Sequence, residues 1–467
     1  MTISRRAYLL ALTLVAGLLL AGGVAGSQTA SGAPAAQQTI GINVVLNSAV
    51  TQTELADLGH YGTVRAVIPE IKAVTLRAPQ SALASIRARS YVAAANPDAR
   101  RQGAPVDTVA AQDFADGANT WNLDSVNVTD AGKDARQVAY DGGEVYVAVL
   151  DTGLLDSWRQ YFPEERIDVV RARAFGGGGG EVGTVSQQPE KWQHDQNSHG
   201  THVTSTILGY SFGAGFSPVN GVAPKATVIP VKVLNQTGEG FGWSSVIARG
   251  IVYVADLKAG PLAGSPVVIN MSLGGSRLDA IEKAAIDYAT SKGVIVVAAA
   301  GNEGESGMDY PGAYQPVISA AASGWTGQWT GPNWIRNDVA DPTKPGDFYI
   351  ADFSGRQKAG QDLDVAAPGS SVVGPYQEQS GKSSFFYLDG TSMATPHVSG
   401  IVSLMAQKSP TLSAAQAEAT LERTAIPLAA GCRTVRQPEG ALQQVCWGAD
   451  ATGSGLATAD AALARTL

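Results

Sequence analysis

The chain has 467 residues, of which 44% are hydrophobic and 16% are charged, and its formal net charge at pH 7 is -8. This length and apolar content allow one large α/β domain and a second, small one. The acidic residues are spread along the chain without long runs, so the sequence excludes the basic surface that a nucleic-acid or anionic-lipid partner requires.

The N-terminal segment has the order of a secretory signal peptide. Arg5 and Arg6 precede the apolar run "AYLLALTLVAGLLLAGG", and small residues follow it. A membrane anchor is the alternative, but the run is shorter than the about 20 residues that cross a bilayer. We therefore predict a signal peptide over residues 1–30, a secreted protein, and no membrane association once the signal is removed.

The only two cysteines of the sequence are Cys432 and Cys446. In a cytosolic protein they would be free thiols, whereas export brings them into an oxidising environment. Since the N-terminal segment predicts export, we predict a disulfide between these two residues.

Residues from about 40 to 98 have the pattern of a compact α+β module. "TIGINVVLN", the two halves of "VRAVIPEIKAVTLRAP" and "YVAAANPDA" are strand-like, while "TQTELADLGHYG" and "SALASIRARS" have helical spacing. The predicted order is β, α, β, β, α, β, with Thr51 or Thr53 capping the first helix. The polar stretch from Asp98 to Thr120 is predicted to be an exposed linker without regular structure.

Apolar strands and helices alternate from Trp121 to near the C-terminus. "EVYVAVLD", "ATVIPVKVL", "SPVVINMSLGG" and "GVIVVAAAGN" are near-continuous apolar runs, typical of strands buried on both faces. Segments with helical periodicity lie between them. The alternation predicts an α/β fold with a mostly parallel central sheet flanked by helices, in which functional sites form at the carboxyl ends of the strands.

Two polar motifs stand at the ends of these predicted elements. Asp151, in "AVLDTG", is either a helix cap or a functional carboxylate; the second Asp-Thr-Gly that an aspartic protease needs is absent from the sequence. His194, His199 and His202 lie in "HDQNSHGTHVTS", and three imidazoles can bind zinc. Alternatively, His199 is a general base at the start of a helix, with Gly200 allowing close approach and His202 packed one turn further on.

Asn302 and Ser392 also have two interpretations each. Asn302 follows the strand "VIVVAAA" and is either a turn residue or an amide donor to the oxyanion of an acyl-transfer intermediate. Ser392, in "GTSMATPHVSG", is either a polar helix cap or an activated nucleophile. A nucleophilic serine needs a base, a group that orients the base, and an oxyanion site elsewhere in the chain.

In this order, the motifs "VLDTG", "HGTHV", "NMSLGG", "AAAGNEG" and "GTSMATPHVSG" resemble those of subtilisin-like serine proteases. The resemblance covers residues from about 120 to 465. It implies a three-layer subtilisin-like fold and a serine endopeptidase that needs no catalytic cofactor. Carried over by motif, Ser392 is the nucleophile, His199 the general base and acid, Asp151 the orienting carboxylate and Asn302 an oxyanion donor.

Two other classes of protein are weaker alternatives. A binding protein that keeps the fold without activity is disfavoured, because the four chemical residues are all present. An esterase is disfavoured because the residues occur in the chain order Asp, His, Ser, whereas α/β-hydrolases have the order Ser, Asp or Glu, His. Thr391 and His397 are expected only to pack and to form hydrogen bonds around the Ser392 helix.

The resemblance also implies a substrate cleft between two edge segments, where a peptide adds as a strand. The implied substrate-binding residues are Gly238, Glu239, Gly240, Ser272, Leu273, Gly274, Ala299, Gly301, Glu303 and Asp309. The last two are acidic and lie at the rim and floor of the first pocket, which predicts a preference for Lys or Arg before the scissile bond. The alternative is that Asp309 points to solvent and the specificity stays broad and apolar.

The position and size of residues 31–115 resemble the propeptide of this family, which leaves residues 116–467 as the catalytic domain. The propeptide would assist folding and inhibit the enzyme, with "YVAAANPDA", Tyr91 to Ala99, in the active site until it is cleaved. The mature chain would begin between Arg101 and about Trp121. The expected partners are protein or peptide substrates and the chain's own propeptide, and the mature enzyme is expected to be a monomer.

Two departures from the family pattern bear on the surface loops. The asparagine-rich calcium loop that often follows the histidine helix is not recognisable, so a structural calcium has no identified site, although Asp168 or Glu164 could supply ligands. An insertion over residues 325–348 contains Trp325, Trp329 and Trp334. These tryptophans either form an exposed lip near the cleft or pack inside the loop.

Overall fold

In a computed structural model, the described part of the chain is residues 38–467 without 112–119, 131–134, 179–185, 188, 196, 212–217, 235–239, 332–333, 335–336 and 377–383. The predicted signal peptide therefore lies outside the described residues, and so does the predicted domain boundary at residues 115 and 116. No helix of the described residues combines the length and the hydropathy that a membrane crossing requires.

An N-terminal module contains four strands and two helices: β1 (Thr39–Leu46), α1 (Gln52–Gly59), β2 (Thr63–Ile68), β3 (Ala73–Pro79), α2 (Ala82–Arg87) and β4 (Val92–Pro97). The strands form an antiparallel sheet in the order β2, β3, β1, β4. Thr51 is the N-cap of α1, and its amide donates to Glu54 Oε2 at 3.0 Å. The predicted element order and α+β composition are confirmed.

The rest of the described chain forms one α/β domain and the segments that connect it to the module. Its elements are β5 (Arg100–Gln102), β6 (Asp107–Ala110), α3 (Trp121–Ser125), β7 (Tyr146–Asp151), β8 (Arg173–Gly176), β9 (Ser186–Gln187), α4 (His199–Leu208), β10 (Gly209–Tyr210), β11 (Val219–Asn220), β12 (Thr227–Lys232), β13 (Phe241–Trp243), α5 (Ser244–Ala259), β14 (Val267–Met271), α6 (Ala280–Ser291), β15 (Val294–Ala299), β16 (Ile318–Trp325), β17 (Phe348–Ile350), β18 (Val365–Pro368), β19 (Val372–Pro375), β20 (Phe385–Asp389), α7 (Thr391–Lys408), α8 (Ala414–Thr424), β21 (Gly431–Arg436), β22 (Leu442–Trp447) and α9 (Ala459–Arg465).

Nine strands of the described residues form the central sheet, in the order β17, β16, β15, β14, β7, β12, β8, β9, with β18 also paired to β16. The pairs from β16 to β8 are parallel, and only β17 and β9 pair in the antiparallel direction. The predicted mostly parallel sheet is confirmed. Because the strands run the same way, β7, β14 and β15 end at one edge of the sheet.

Alternate residues of each central strand face opposite cores, which explains the continuous apolar runs of the sequence. In β7, Val147 and Val149 belong to the core that contains residues of α4 and α7. Ala148 and Leu150 belong to the core that contains residues of α5 and α6. Helices therefore cover both faces, and the domain has the predicted three layers.

The described part of the predicted linker contains two strands, β5 and β6, so the prediction of a stretch without regular structure is wrong for these residues. β5 pairs with β13, and β6 pairs with β20, both in the antiparallel direction. Gln102 also forms a bridge with Gly274. Polar residues form these strands because backbone partners on the α/β domain satisfy their N–H and C=O groups, which needs no apolar side-chain pattern.

The N-terminal module is anchored to the first turns of α5 and α6 by two aspartates. Asp279, the N-cap of α6, accepts hydrogen bonds at Oδ2 from Asn43 Nδ2 at 3.0 Å and from Asn96 Nδ2 at 2.8 Å. Asp98 of the module accepts at Oδ1 from the amide of Ser245, in α5, at 3.0 Å. The helix N-termini, whose first amides lack intrahelical partners, thus become the docking points of the module.

The predicted disulfide is confirmed: Cys432 and Cys446 are bonded across the hairpin of β21 and β22.

The tryptophans of the insertion pack inside the protein. Trp325 and Trp334 are buried. Trp325 stacks on Trp121 with ring centroids 6.3 Å apart, and the rings of Trp329 and Trp334 lie 4.9 Å apart, both in contact with Tyr387. Of the two alternatives for this insertion, internal packing is the correct one.

Candidate active site

The carboxylate of Asp151 and the imidazole of His199 form a buried pair. β7 ends at Asp151 and α4 begins at His199. His199 Nδ1 donates to Asp151 Oδ1 at 2.8 Å, with Oδ2 at 3.0 Å, and both side chains are fully buried. The amide of Thr152 donates to the same carboxylate at 2.7 Å. Because Nδ1 carries the proton in this arrangement, Nε2 is the basic nitrogen of the neutral ring.

Gly200 allows α4 to approach β7 closely enough for this pair. A Cβ atom at Gly200 would lie 2.3 Å from the carbonyl oxygen of Gly153 and 3.2 Å from Asp151 Cβ. Any side chain at this position would therefore push the helix away from the strand end. The close approach that was predicted for Gly200 is confirmed.

The other two histidines of the motif do not join His199 in a metal site. His194 lies at the surface and pairs with Asp156 at 3.0 Å. His202 donates from Nε2 to the carbonyl oxygen of Val372 at 3.1 Å, and burial lowers the pKa of His202 to about 3. Among the described residues, the group placed to hold a metal ion contains no histidine. The zinc hypothesis is therefore wrong for these three side chains.

Ser392 lies in the first turn of α7 and is buried. Its hydroxyl donates to the carbonyl oxygen of Ser272 at 3.1 Å, and the hydroxyl of Ser272 donates back to the carbonyl oxygen of Ser392 at 2.8 Å. A Cβ atom at Gly103 would lie 2.9 Å from Ser272 O and 3.4 Å from His199 Cε1. His199 Nε2 has no hydrogen-bond partner. The carbonyl oxygen that accepts the Ser392 hydroxyl and the His199 imidazole thus lie beside the same point of the cleft.

Asn302 lies beside Ser392 with its amide held in one orientation. Its Oδ1 accepts from the amide and from the hydroxyl of Thr391, both at 2.9 Å. A Cβ atom at Gly390 would lie 3.8 Å from Asn302 Nδ2 and 3.7 Å from Ser392 N. Two N–H donors therefore border one point at the N-terminus of α7, where the helix dipole favours negative charge.

Thr391 and His397 pack and form hydrogen bonds around the Ser392 helix, as predicted. The hydroxyl of Thr391 accepts from the amide of Gly301 at 3.2 Å and donates to Asn302 Oδ1, so it also orients Asn302, which the sequence did not indicate. No local pattern signals this contact, because the partners lie 89 residues apart. His397 donates from Nδ1 to the carbonyl oxygen of Met393 at 2.8 Å, and burial lowers its pKa to about 4. It packs as predicted.

The two predicted edge segments flank a strand of the chain itself. The amide of Gln102 donates to the carbonyl oxygen of Gly274 at 2.9 Å, and the amide of Gly274 donates back at 3.0 Å. On the other side, the amide of Gly103 donates to the carbonyl oxygen of Gly240 at 2.9 Å. Gly238 and Glu239 lie outside the described residues. The segment between the edges is thus Arg100 to Gly103.

The prediction that Tyr91 to Ala99 lie in the active site is wrong in its register. Val92–Pro97 form β4, which pairs with β1 inside the module. The chain leaves this sheet after Pro97 and enters the cleft only at Arg100. The apolar side chains of "YVAAANPDA" suit a sheet of the module better than an open cleft, and this competing use was not recognisable from the local pattern.

Two groups of the implied substrate-binding residues, Ser272 to Gly274 and Ala299 to Gly301, lie at the carboxyl ends of β14 and β15, which are neighbouring strands. These two segments are called the walls of the first pocket. Asp309 lies between the walls: a Cβ atom at Gly274 would lie 2.6 Å from Asp309 Cβ, and one at Gly301 would lie 2.8 Å from it. Asp309 is only 7% exposed. The alternative that its carboxyl group points to solvent is therefore wrong.

Glu303 meets Asp309 at this pocket. Glu303 is exposed and accepts from the amide of Asn302 at 2.8 Å. Burial raises the pKa of Asp309 to about 8, and the negative charge and hydrogen bond of Glu303 add to the effect, while the positive charge of Arg101 opposes it. The carboxyl of Asp309 is therefore largely protonated at neutral pH.

The acids that were suggested as calcium ligands are used in ion pairs. Asp168 contacts Arg171 at 2.6 Å, and Glu164 contacts Arg159 at 3.1 Å. Elsewhere in the described residues, one group of three carboxylates has its ligand atoms within 4.8 Å of one another: Asp362, Asp364 and Glu418. The sequence identified no calcium site, and this group does not establish one.

Comparison with known proteins agrees with this geometry. Subtilisin DY of Bacillus licheniformis is 35% identical over 293 residues, which are 62% of this chain and 86% of that protein. Subtilisin E of Bacillus subtilis is 35% identical over 291 residues, 61% of each protein, so the chain spans less than two thirds of that relative.

Solved structures agree as well. Fervidolysin from Fervidobacterium pennivorans, a keratinolytic enzyme related to subtilisin, superposes with a TM-score of 0.64 at 25% identity, over 92% of this chain and 61% of that one. Sphericase superposes with a TM-score of 0.51 at 28% identity, over 75% of this chain and 99% of that one. The model of the family described as "Subtilase family" matches residues 142–448, more than half of the sequence. The chain therefore belongs to the subtilase family of serine-type endopeptidases.

Proposed function

We propose that this protein is a secreted endopeptidase that hydrolyses peptide bonds through an acyl-enzyme intermediate. Ser392 is the nucleophile, His199 the general base and acid, and Asp151 the carboxylate that orients the imidazole. The observation that carries the proposal is the buried pair of His199 and Asp151, whose 2.8 Å bond at Nδ1 leaves Nε2 basic and unpaired beside the Ser392 turn.

The proposed reaction begins when Ser392 Oγ turns from Ser272 towards His199. His199 Nε2 takes the hydroxyl proton as Oγ attacks the carbonyl carbon of the substrate. The carbonyl oxygen becomes an anion that accepts from Asn302 Nδ2 and from the Ser392 amide, while Asp151 stabilises the imidazolium.

Collapse of this intermediate breaks the C–N bond, and His199 Nε2 gives its proton to the leaving amine. A water molecule then enters, loses a proton to His199 Nε2 and attacks the Ser392 ester. The second collapse releases the acid product and returns the proton to Ser392 Oγ. No cofactor takes part in these steps.

A serine-directed covalent inhibitor provides the direct test of this function. We expect phenylmethylsulfonyl fluoride to label Ser392 and to stop casein digestion, because the neighbouring base raises the nucleophilicity of this hydroxyl. Peptide mass spectrometry identifies the label. Ser403, on the same helix, donates to the Ser399 carbonyl oxygen at 2.8 Å and should stay unlabelled. Casein digestion that survives the inhibitor but stops with a zinc chelator would contradict the proposal.

We further propose that residues 31–115 are a propeptide that inhibits the precursor until it is cut. The contacts of β5 with both cleft edges support this proposal, because a substrate strand needs the same backbone groups. The freed mature chain would begin between Arg101 and about Trp121. Secretion, removal of the signal peptide and a monomeric state are parts of the same proposal.

The acidic pocket of Glu303 and Asp309 leads to a pH-dependent preference for Lys or Arg before the scissile bond. Since the pKa of Asp309 is raised to about 8, its carboxyl is neutral below that pH and gains a negative charge above it. We expect the ratio of kcat/KM for Arg over Phe to rise about tenfold between pH 6.5 and pH 9.

The measurement uses acetyl-Arg-Gln-Gly-Y-p-nitroanilide peptides, where Y is Arg, Leu or Phe. Because a ratio of substrates is compared, the pH dependence of the catalytic residues cancels. The Asp309→Asn variant is the control, and its ratio should not change with pH. Equal or faster turnover of the Phe and Leu peptides over the whole range would refute the acidic pocket.

A further inference from the structure

Arg101, in the strand that occupies the cleft, is a cation with no exposed side-chain surface. Its Nε lies 3.1 Å from both carboxylate oxygens of Glu282, and its Nη2 lies 2.5 Å from Oε2. The Glu282 side chain is equally buried. The fork of a guanidinium matches a carboxylate in this way, whereas an ammonium group presents a single point charge.

The pocket that holds Arg101 is made by the α/β domain. Glu282 lies in the first turn of α6. The carbonyl oxygen of Arg277 accepts from Arg101 Nη2 at 2.9 Å, and a Cβ atom at Gly275 would lie 3.0 Å from Nη1. The negative charge of Asp279 also favours the guanidinium, after that of Glu282. The residues that form this pocket therefore remain when the segment Arg100 to Gly103 leaves the cleft.

The backbone around Arg101 occupies the position that a substrate strand would take between the two edges of the cleft. Arg101 is opposite Gly242 in the antiparallel pair of β5 and β13, and Gln102 forms a two-way bridge with Gly274. A peptide that adds between the same edges brings one side chain to the position of Arg101. The neighbouring residue, Arg100, instead has its guanidinium carbon 4.4 Å from the centroid of the Phe241 ring. Of the two arginines, the pocket therefore holds only Arg101.

The register fixes the position of this side chain relative to the scissile bond. Gly103 lies beside His199, and three residues further on the amide of Val106 donates to the carbonyl oxygen of Asp389 at 2.7 Å. Ala104 is the first residue after the His199 contact. With the scissile bond placed after Ala104, Arg101 is the fourth residue before the bond.

We propose that Glu282 makes this pocket a recognition site for arginine at the fourth residue before the scissile bond of substrates. The proposal rests on the proposed peptidase function. When the pocket is empty, water solvates the Glu282 carboxylate. A substrate with an apolar residue there would bury that carboxylate without a partner, whereas an arginine replaces the lost water with a two-nitrogen contact.

The test compares three acetyl-X-Gln-Gly-Ala-p-nitroanilide peptides, in which X is Arg, citrulline or Leu, on the processed wild-type enzyme. Citrulline has the size of arginine without its charge. We expect kcat/KM for the Arg peptide to exceed that for the other two by about 100-fold. Glu282→Gln should bring the Arg-to-Leu ratio close to one. Glu439→Gln, which removes an exposed carboxylate, should keep the wild-type ratio.

Casein digestion separates the possible failures. If the enzyme digests casein but cuts the three peptides at equal rates, or cuts none of them, the arginine pocket is overturned and the peptidase function stands. If casein is not digested at all, the proposed function itself fails. The wild-type series needs no variant, so a folding defect of Glu282→Gln leaves the proposal testable.

Discussion

Replacing Ser392 with alanine is expected to lower kcat for peptide hydrolysis by about 10⁶-fold. In the proposed mechanism the hydroxyl oxygen of Ser392 forms the acyl-enzyme, and a neighbouring hydroxyl, that of Ser272, is committed to the carbonyl oxygen of Ser392 at 2.8 Å. What activity remains would come from water attack in a cleft that still binds the substrate and its oxyanion.

The same substitution should leave the precursor uncut. In the wild type, N-terminal sequencing of secreted protein is expected to find a mature start between Arg101 and about Trp121. The Ser392→Ala protein should keep its propeptide, and addition of wild-type enzyme then tells whether another copy can cut it. Ser403→Ala, which removes a buried hydroxyl from the same helix, is the matched control and should keep activity and processing. An alanine variant that retains more than about a thousandth of the activity would refute the nucleophile assignment.

Replacing Asn302 with alanine is expected to lower kcat by about 10² to 10³, or about 3 to 4 kcal/mol of barrier, with little change in KM. The amide of Asn302 is aimed by two bonds from Thr391 at 2.9 Å, so Nδ2 is free to donate as negative charge develops on the carbonyl oxygen. Because this bond strengthens only in the transition state, its loss lowers kcat.

Steady-state kinetics on the acetyl-Arg-Gln-Gly-Ala-p-nitroanilide peptide measures this effect. Asn337→Ala removes an exposed asparagine and should leave both constants within about twofold. Thr391→Val keeps the Asn302 amide but removes the hydroxyl that holds it, and should give a smaller loss of kcat. A change in KM alone for Asn302→Ala would assign this residue to substrate binding.

The sequence predicted those features that depend on local pattern. The apolar runs identified the central strands, and the strand ends located Asp151 and Asn302, because parallel strands bring their carboxyl ends to one edge. The helix positions of His199 and Ser392 followed from periodicity and from family motifs. Their grouping in space was implied by the resemblance to subtilisin-like serine proteases and not by the local pattern.

Features that depend on distant partners were missed. Arg101 lies in a polar stretch, and nothing local shows that it is buried, because its partner Glu282 is 181 residues away. The strand character of residues 100–102 and 107–110 has the same cause: the edges that pair with them come much later in the chain. Likewise, two acids could be predicted at one pocket, but not that Asp309 would be buried deeply enough to hold a proton.

In the proposed inhibited precursor, the passage of one continuous chain along β13 and then along β20 determines how inhibition would end. While the chain is intact, the tether sets the effective concentration of β5 at the cleft, and dilution cannot lower it. A single cut between β5 and β6 separates the two strands into different polypeptides. From that moment the occupancy of the cleft depends on the total protein concentration, so release of the enzyme becomes a matter of dilution as well as of proteolysis.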